Sequence, residues 1–147
     1  MGFFYMATVN QLRSKLTALN VKDVSFHSVE ETKEVIAEVQ KEQMFQGLNA
    51  KGKKIGRYRS NKYARAKNEM NPLPGLGIPD LKLTGAFYAK VETEVTQEAF
   101  RSFSTDEKND ELTSKYDPFG LNKESKSEYA GKLRPVFIKN VKEELRL

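Results

Sequence analysis

Near the middle of this chain, residues 71–79 contain three prolines and two glycines. Proline lacks a backbone N–H and fixes its own φ angle, so neither a helix nor a central strand continues through such a run. We therefore predict an irregular surface connector here. It separates a first half with helical spacing of apolar residues from a second half in which polar and apolar residues alternate.

The start of the chain carries a helix signature. Thr8 is followed three residues later by Gln11, a capping box in which each side chain satisfies an unpaired backbone N–H of the first turn. Apolar residues then recur at helical spacing, which predicts a first helix over 8–20. The segment that follows, 21–26, is predicted to be a short extended link.

A second capping box predicts a second helix. Ser28 precedes Glu31 by three residues, and Gly47 is suited to the left-handed turn that often ends a helix. His27, the only histidine in the chain, stands immediately before this cap and is interpreted as a helix-boundary residue. Apolar residues that can share one side of the helix are Val29, Ile36, Val39 and Phe45.

Basic residues are concentrated directly before the connector. Residues 51–67 contain no acidic residue and eight cations, namely Lys51, Lys53, Lys54, Arg57, Arg59, Lys62, Arg65 and Lys67. The rest of the chain holds 17 basic and 20 acidic residues, so the formal charge of +5 originates in this one segment. Gly52 and Gly56 favour a loop, with a turn or two of helix at 61–69.

Beyond the connector the predicted elements are short. Thr84 is placed to cap one turn of helix that follows it, and replacing Thr84 by valine is expected to cost about 1 kcal/mol. Alternating polar and apolar residues at 92–96 and 99–105 predict two antiparallel strands. A polar turn at 106–110 then leads to a predicted third extended piece at 112–116.

The last helix is predicted to begin at Asn122, a favourable N-cap residue. Apolar residues follow it at steps of four: Tyr129, Leu133, Phe137, Val141 and Leu145. Pro135 lies within this run, and because an uncompensated proline costs a helix interior about 3 kcal/mol, we expect a bend or break near Gly131 or Lys132.

These elements together predict an α+β fold with two N-terminal helices, a long basic loop, a small antiparallel sheet and a C-terminal helix. The chain length indicates a single domain, 1–147. The basic segment and the connector together form a predicted flexible loop at about 47–79, longer than most connections inside compact domains.

The composition excludes several kinds of chemistry. With no cysteine in the chain, disulfides, thiolate nucleophiles and cysteine-based zinc sites are all absent. The acidic cluster at 106–111 contains Lys108 and lacks the alternating spacing and the glycine of a calcium loop. We therefore expect no metal site, no cofactor and no enzymatic activity. No apolar run approaches the length of a membrane span, so we expect a protein made in the cytoplasm.

Two interpretations of the basic segment remain open. Eight cations interleaved with Tyr58 and Tyr63 suit a surface that neutralises phosphates and stacks on bases without reading their sequence. The same composition suits a solvated loop, or one that docks on an acidic protein surface. The alternatives are thus a docking loop and a small, sequence-nonspecific nucleic-acid-binding protein.

Several motifs, taken in order, resemble a known protein family. Gly56-Arg57-Tyr58 and Tyr63-Ala64-Arg65-Ala66-Lys67 precede the connector, and Asp80-Leu81-Lys82-Leu83-Thr84-Gly85-Ala86-Phe87 follows it. This order, together with a Tyr-Asp-Pro-Phe-Gly-Leu-Asn segment at 116–122 and a C-terminal Leu-Arg-Pro helix, is similar to the small neck and tail-completion proteins of tailed bacteriophages, in variants from Bacteroidetes-type phages and prophages. The motif residues are Asp80, Leu81, Leu83, Thr84, Gly85 and Phe87.

The resemblance implies a structural protein of the virion neck or tail, made in the host cytoplasm and assembled as a homo-oligomeric ring at the head-tail junction or tail terminus. Its implied partners are other neck, portal-adaptor or tail-tube proteins, with nonspecific contact to genomic DNA through the basic loop and no membrane. Three aromatic residues near the N-terminus suit either docking on an adjacent subunit or packing on the chain's own first helix: Phe3, Phe4 and Tyr5.

Overall fold

The computed structural model describes residues 8–146, and its elements confirm the α+β class. Within this range lie seven helices and one two-stranded antiparallel sheet. In chain order these are α1 (Val9–Ala18), α2 (Val21–Glu31), α3 (Lys33–Phe45), α4 (Asn61–Met70), α5 (Ala86–Ala89), β1 (Val91–Val95), β2 (Phe100–Ser104), α6 (Asn109–Tyr116) and α7 (Lys123–Leu145). Helices make up 57% of the structure, and the small sheet packs on α3.

The first helix begins as predicted, but the segment after it is helical rather than extended. Thr8 and Gln11 each accept a hydrogen bond from the other's backbone N–H, at 3.2 and 2.8 Å, which completes the capping box. The predicted link at 21–26 is wrong, because the Asn20 side chain accepts a hydrogen bond from the Asp23 N–H at 3.2 Å and caps a new helix. Asparagine is among the preferred N-cap residues, so α2 starts almost directly after α1.

Ser28 does not begin a helix, and the prediction of a cap there is wrong. It lies buried inside α2, where its hydroxyl donates to the Val24 carbonyl at 2.7 Å. The helical path is interrupted instead at Thr32, whose hydroxyl donates to the Ser28 carbonyl at 2.8 Å, and α3 starts at the next residue. His27 is accordingly an exposed residue within α2 and not a boundary residue.

α3 ends at the predicted glycine. Gly47 has a φ of 70°, its N–H donates to the Met44 carbonyl at 2.8 Å, and the Leu48 N–H donates to the Gln43 carbonyl at 3.2 Å. This pair of bonds is the Schellman pattern, which satisfies carbonyls left unpaired at the helix end. A Cβ atom at Gly47 would come within 2.9 Å of connector atoms, so the close approach of the connector also requires glycine.

The two predicted strands pair as an antiparallel hairpin, which confirms the small sheet. Val91 lies opposite Ser104, and Val95 lies opposite Phe100. Side chains alternate between a buried and a more exposed face along both strands. The buried face contributes to the packing of the sheet on α3.

The segment at 112–116 is helical, so the prediction of a third extended piece is wrong. Asp110 and Glu111 occupy the first turn of α6, where negative charge is favourable beside the unpaired backbone N–H groups. Leu112 and Tyr116, four residues apart, both pack against a core cluster. Packing at helical spacing therefore determines the structure of a segment whose local pattern also permits a strand.

α7 runs without interruption past Pro135, so the predicted break is wrong. The Asn122 side chain accepts a hydrogen bond from the Ser125 N–H at 2.9 Å, which confirms the predicted cap. Pro135 offers no N–H to the Gly131 carbonyl, but Gly131 is exposed, so water can bond this carbonyl. The packing of α7 on α2 and α3 offsets the cost of the proline.

Two clusters of apolar residues form the core described here, and α3 contributes to both. One joins α3 to α5 and β1 and consists of Ala37, Met44, Ile55, Leu81, Phe87, Tyr88 and Val91. The other joins α3 to α7 and consists of Ile36, Val39, Leu121 and Tyr129. The side-chain amides of buried Gln40 and Gln43 bond the backbone at 118–122 over 2.7 to 3.1 Å, which fixes the segment between α6 and α7. Between residues 8 and 146, no helix is long and apolar enough to cross a membrane.

Candidate functional site

The first basic residues lie on a tight turn after α3. Asn49 organises this turn, because its Oδ1 accepts hydrogen bonds from the Lys51 and Lys53 N–H groups at 2.9 and 3.0 Å. Leu48 and Lys54 form an antiparallel bridge at its base. The turn is therefore held by the Asn49 side chain and by backbone hydrogen bonds, while the side chains of all three lysines are exposed.

The remaining basic residues lie on α4 and just before it. The Ser60 hydroxyl caps α4 by accepting a backbone N–H at 3.2 Å, and Ala64 packs inward while Lys62 and Arg65 are exposed. α4 confirms the helix predicted at 61–69. The predicted loop at 47–79 thus contains α4, a helix of ten residues where a turn or two of helix was predicted.

Seven exposed cations together form what we name the basic surface: Lys51, Lys53, Lys54, Arg57, Arg59, Lys62 and Arg65. A shallow basin of about 410 Å³ lies between α4 and the connector, and Arg57 and Arg65 contribute to its lining. Apolar side chains at the end of α4 and in the connector are exposed as well, with exposed fractions of 71% for Met70, 62% for Leu73 and 58% for Leu76. Positive charge and apolar surface therefore occur in the same part of the chain.

Two tyrosines belong to the basin region. The rings of Tyr58 and Tyr63 meet edge to face, with centroids 4.9 Å apart and an angle of 86°. The Tyr58 N–H donates to the Gly77 carbonyl at 2.8 Å, which ties the basic segment to the connector. Burial, and then the negative charge of Asp80, raises the pKa of the Tyr58 hydroxyl, so this group is neutral at physiological pH.

Lys67 is not part of the exposed surface, and the predicted role for it in contacts with a partner is wrong. It is 7% exposed, and its Nζ lies 2.9 Å from Asp80 Oδ1. The same ammonium donates to the Lys82 carbonyl. The desolvation cost of a buried ion pair is offset only when the geometry is close and further hydrogen bonds satisfy the remaining donors and acceptors. The ion pair therefore joins the last cation of the basic segment to Asp80, the first residue of the 80–87 motif.

Asp80 is the centre of a buried network, which we name the anchor. Its carboxylate also accepts hydrogen bonds from Asn71 Nδ2 at 3.0 Å and from the Lys82 N–H at 2.9 Å, and the Tyr88 hydroxyl donates to its backbone carbonyl. Asn71 Nδ2 donates to a backbone carbonyl at the end of α3 at 2.8 Å as well. Burial alone would raise the pKa of the Asp80 carboxyl, but the bonds from Asn71, Lys67 and Lys82 and the Lys67 charge lower it below its ordinary value.

The structure divides the residues of the 80–87 motif into buried and exposed members. Asp80, Leu81 and Phe87 are buried, whereas Leu83 and Thr84 are exposed. Gly85, with a φ of 86°, is the N-cap residue of α5. The predicted cap at Thr84 is therefore wrong, and Thr84 Oγ1 makes only a long hydrogen bond of 3.4 Å to the Ala86 N–H.

Sequence reasoning missed Asn71 and Tyr88, the two polar residues that complete the anchor. For Asn71 the one available signal is its position, because it begins the connector and Asp80 directly follows the connector, so the two meet when the ends of the connector come together. The predicted docking residues Phe3, Phe4 and Tyr5 lie outside the residues that the structure describes.

The basic surface offers positive charge, aromatic rings and apolar side chains, which suit the binding of an anionic or acidic partner. No group of three or more His, Asp or Glu side chains in the described range is placed to hold a metal ion.

Comparison of the chain with protein-family models, with curated proteins and with solved structures finds no significant match.

Proposed function

We propose that this chain is a structural virion protein of a tailed phage, one subunit of a ring at the head-tail junction or at the tail terminus. The observation that carries the proposal is the basic surface, whose seven exposed cations belong to the same part of the chain as exposed apolar side chains. Soluble monomers rarely leave large apolar patches exposed, and such patches rimmed by polar groups are typical of binding surfaces. The phage assignment itself comes from the ordered motifs.

The anchor supports this proposal because it gives the surface a fixed base. The connector is closed by the buried pair of Lys67 and Asp80, and α4 is packed inward through Ala64. The exposed cations therefore project from ordered backbone. Less conformational entropy is lost when such a surface binds than when a disordered arm has to fold on its partner.

A second copy of the chain carries exposed acidic residues that can pair with the basic surface. Outside the basic surface the sequence holds 18 basic and 20 acidic residues. Three of the acidic residues are exposed along α3: Glu34, Glu38 and Glu42. A contact between two different surfaces of identical chains is heterologous, and it closes into a ring when the rotation between neighbours permits.

The test compares two pairs of neutralised cations by light scattering and negative-stain microscopy. We expect the wild-type chain to form closed oligomers, alone or with portal-adaptor or tail-tube proteins. Arg57→Gln with Arg65→Gln is expected to weaken this association about tenfold, since two charges are removed from the interface. The matched control, Arg134→Gln with Lys142→Gln on exposed positions of α7, is expected to leave it unchanged. A chain that stays monomeric at high concentration and binds none of these proteins would contradict the proposal.

The second candidate function is sequence-nonspecific binding of nucleic acid, and the pair of Tyr58 and Tyr63 beside the basic surface favours it. Fluorescence anisotropy with duplex DNA tests this function over a range of salt concentrations. Neutralising Lys51, Lys53, Lys54 and Arg57 is expected to lower the salt dependence by about one unit of slope for each phosphate that the protein no longer neutralises. Absence of DNA binding at low salt would reject this candidate.

A further inference from the structure

α1 has an apolar side that the described contacts leave uncovered. It contains no buried residue, and Val9 and Leu16 are 81% and 54% exposed. Within residues 8–146, α1 makes one hydrogen bond to another element, from Lys15 Nζ to the Leu145 carbonyl at the end of α7. A helix of ten residues is marginal in water by itself, and helices in proteins gain most of their stability by packing an apolar face.

A groove with matching chemistry lies between α5 and α6. Its volume is about 210 Å³, and it is lined by Leu81, Leu83, Phe87 and Leu112 among others. Leu83 is 59% exposed, although Leu81 before it and Phe87 after it in the motif are both buried. Thr84 also lines this groove, so both exposed members of the motif face the same feature.

The charges of the two surfaces are complementary. α1 carries Arg13 and Lys15 and no acidic residue. The helix beside the groove and the turn before it present three exposed carboxylates, Glu107, Asp110 and Glu111, against two exposed ammonium groups, those of Lys108 and Lys115. Asp106, which also lines the groove, is already paired with Lys90 at 3.4 Å. The net charge is therefore +2 on α1 and −1 beside the groove, and these opposite signs favour contact between the two surfaces.

We infer that α1 of one copy docks, through Val9 and Leu16, in the α5–α6 groove of a second copy. Within a single copy, Lys15 bonds the end of α7, and among the described residues no hydrogen bond joins α1 to a residue that lines the groove, so we assign the groove to the helix of another chain. Each copy then offers a helix to one neighbour and a groove to the other. The inference rests on the proposed function only in that both require copies of the chain to associate, and it names the parts that meet.

Single introduced cysteines test this contact, because the chain has no cysteine of its own. We expect a Leu16→Cys chain mixed with a Leu83→Cys chain to form a disulfide-linked dimer under mild oxidation, in higher yield than either chain alone. The matched control replaces Leu83→Cys by Ile138→Cys, an α7 position that is 44% exposed. Cross-linking between Leu16→Cys and Ile138→Cys that is equally efficient would overturn the inference.

Sedimentation velocity supplies a second measurement. Leu16→Glu and Leu83→Glu are each expected to weaken self-association at least about tenfold, while Ile138→Glu leaves it unchanged. All three side chains are exposed, and circular dichroism checks that the variants fold. Self-association that survives both Leu16→Glu and Leu83→Glu overturns the inference but leaves the ring proposal standing. A wild-type chain that never self-associates overturns the inference as well, and the ring proposal then stands or falls by binding to portal-adaptor or tail-tube proteins.

Discussion

Arg65 and Lys67 lie two residues apart on α4, but one side chain is exposed to solvent and the other is buried. Arg65 is exposed on the basic surface, whereas Lys67 is 7% exposed and paired with Asp80. One cation is available to a partner, and the other closes the connector. A run of like charges in a sequence can therefore contain two kinds of residue, which only packing distinguishes. We therefore expect substitutions in the anchor to lower the free energy of unfolding, and substitutions on the basic surface to weaken binding to a partner.

The largest effect is expected from breaking the buried pair. Lys67→Met leaves the Asp80 carboxylate buried without its cation, which should lower the free energy of unfolding by about 3 to 5 kcal/mol. Arg65→Met, the matched control on the same helix, should change it by less than about 0.5 kcal/mol. Urea unfolding followed by circular dichroism measures both. Equal losses for the two variants would remove the distinction between anchor and surface.

A double variant shows how much of the stability lost in Lys67→Met is due to the unpaired charge of Asp80. Adding Asp80→Asn to Lys67→Met removes the uncompensated carboxylate. Asn71 Nδ2 and the Lys82 N–H bond different oxygens of Asp80, so the single amide oxygen of asparagine keeps one of these two hydrogen bonds. We expect the double variant to be more stable than the sum of the single losses predicts, by at least about 1 kcal/mol. Simple additivity would mean that the two side chains do not interact.

Acid provides a second way to break the pair. The pKa of the Asp80 carboxyl is lowered in the folded chain, whereas its ordinary value in an unfolded chain is about 3.9. As the pH falls, the unfolded state therefore binds the proton first. The stability from this carboxylate is complete above about pH 5 and is lost as the pH drops through the lower, folded-state pKa.

Wild type and Asp80→Asn should consequently become more alike in acid. We expect their difference in free energy of unfolding to be largest near neutral pH and to narrow below about pH 4, because the variant has no carboxyl to protonate. Urea unfolding at a series of pH values measures this difference. A difference that stays constant down to about pH 2 would contradict the pairing.

The features predicted correctly from the sequence are those specified by short-range contacts. The caps at Thr8 and Asn122 each depend on a partner three residues away, and the helix end at Gly47 depends on carbonyls within its last turn. The hairpin also depends on contacts between residues close in sequence, because its two strands are adjacent in the chain. Such signals are complete within a short window of sequence.

The errors arise where distant packing decides between locally permitted structures. Ser28 has the spacing of a cap, yet it is buried in α2, where its hydroxyl also accepts a hydrogen bond from Asn140 on α7 at 3.0 Å. Lys67 belongs to the basic run by composition, but its partner Asp80 lies thirteen residues away, beyond the connector. Seven of the eight predicted cations are exposed, and no local rule separates the eighth from them.

A smaller effect is expected at the glycine that starts α5. Gly85→Ala places a Cβ atom on a residue with a φ of 86°, which L-amino acids adopt at a cost of about 1 to 2 kcal/mol. No atom lies within 4 Å of that Cβ position, so the loss comes from the backbone alone. Urea unfolding measures it, with Gly131→Ala as the control, because Gly131 lies inside a helix, where alanine is preferred. A neutral Gly85→Ala would show that the backbone there is not left-handed.

The smallest effect is expected at Thr84, the neighbour of that glycine. Its Oγ1 accepts the Ala86 N–H at 3.4 Å from an exposed position, so Thr84→Val should cost less than about 0.5 kcal/mol rather than the roughly 1 kcal/mol of a true cap. Because Thr84 also lines the α5–α6 groove, valine there adds apolar surface to the proposed contact. Urea unfolding and sedimentation velocity on the same variant should therefore show nearly unchanged stability with self-association that is not weakened. If the free energy of unfolding instead falls by about 1 kcal/mol, the Thr84 side chain is a helix cap and stabilises the fold, as the anchor residues do.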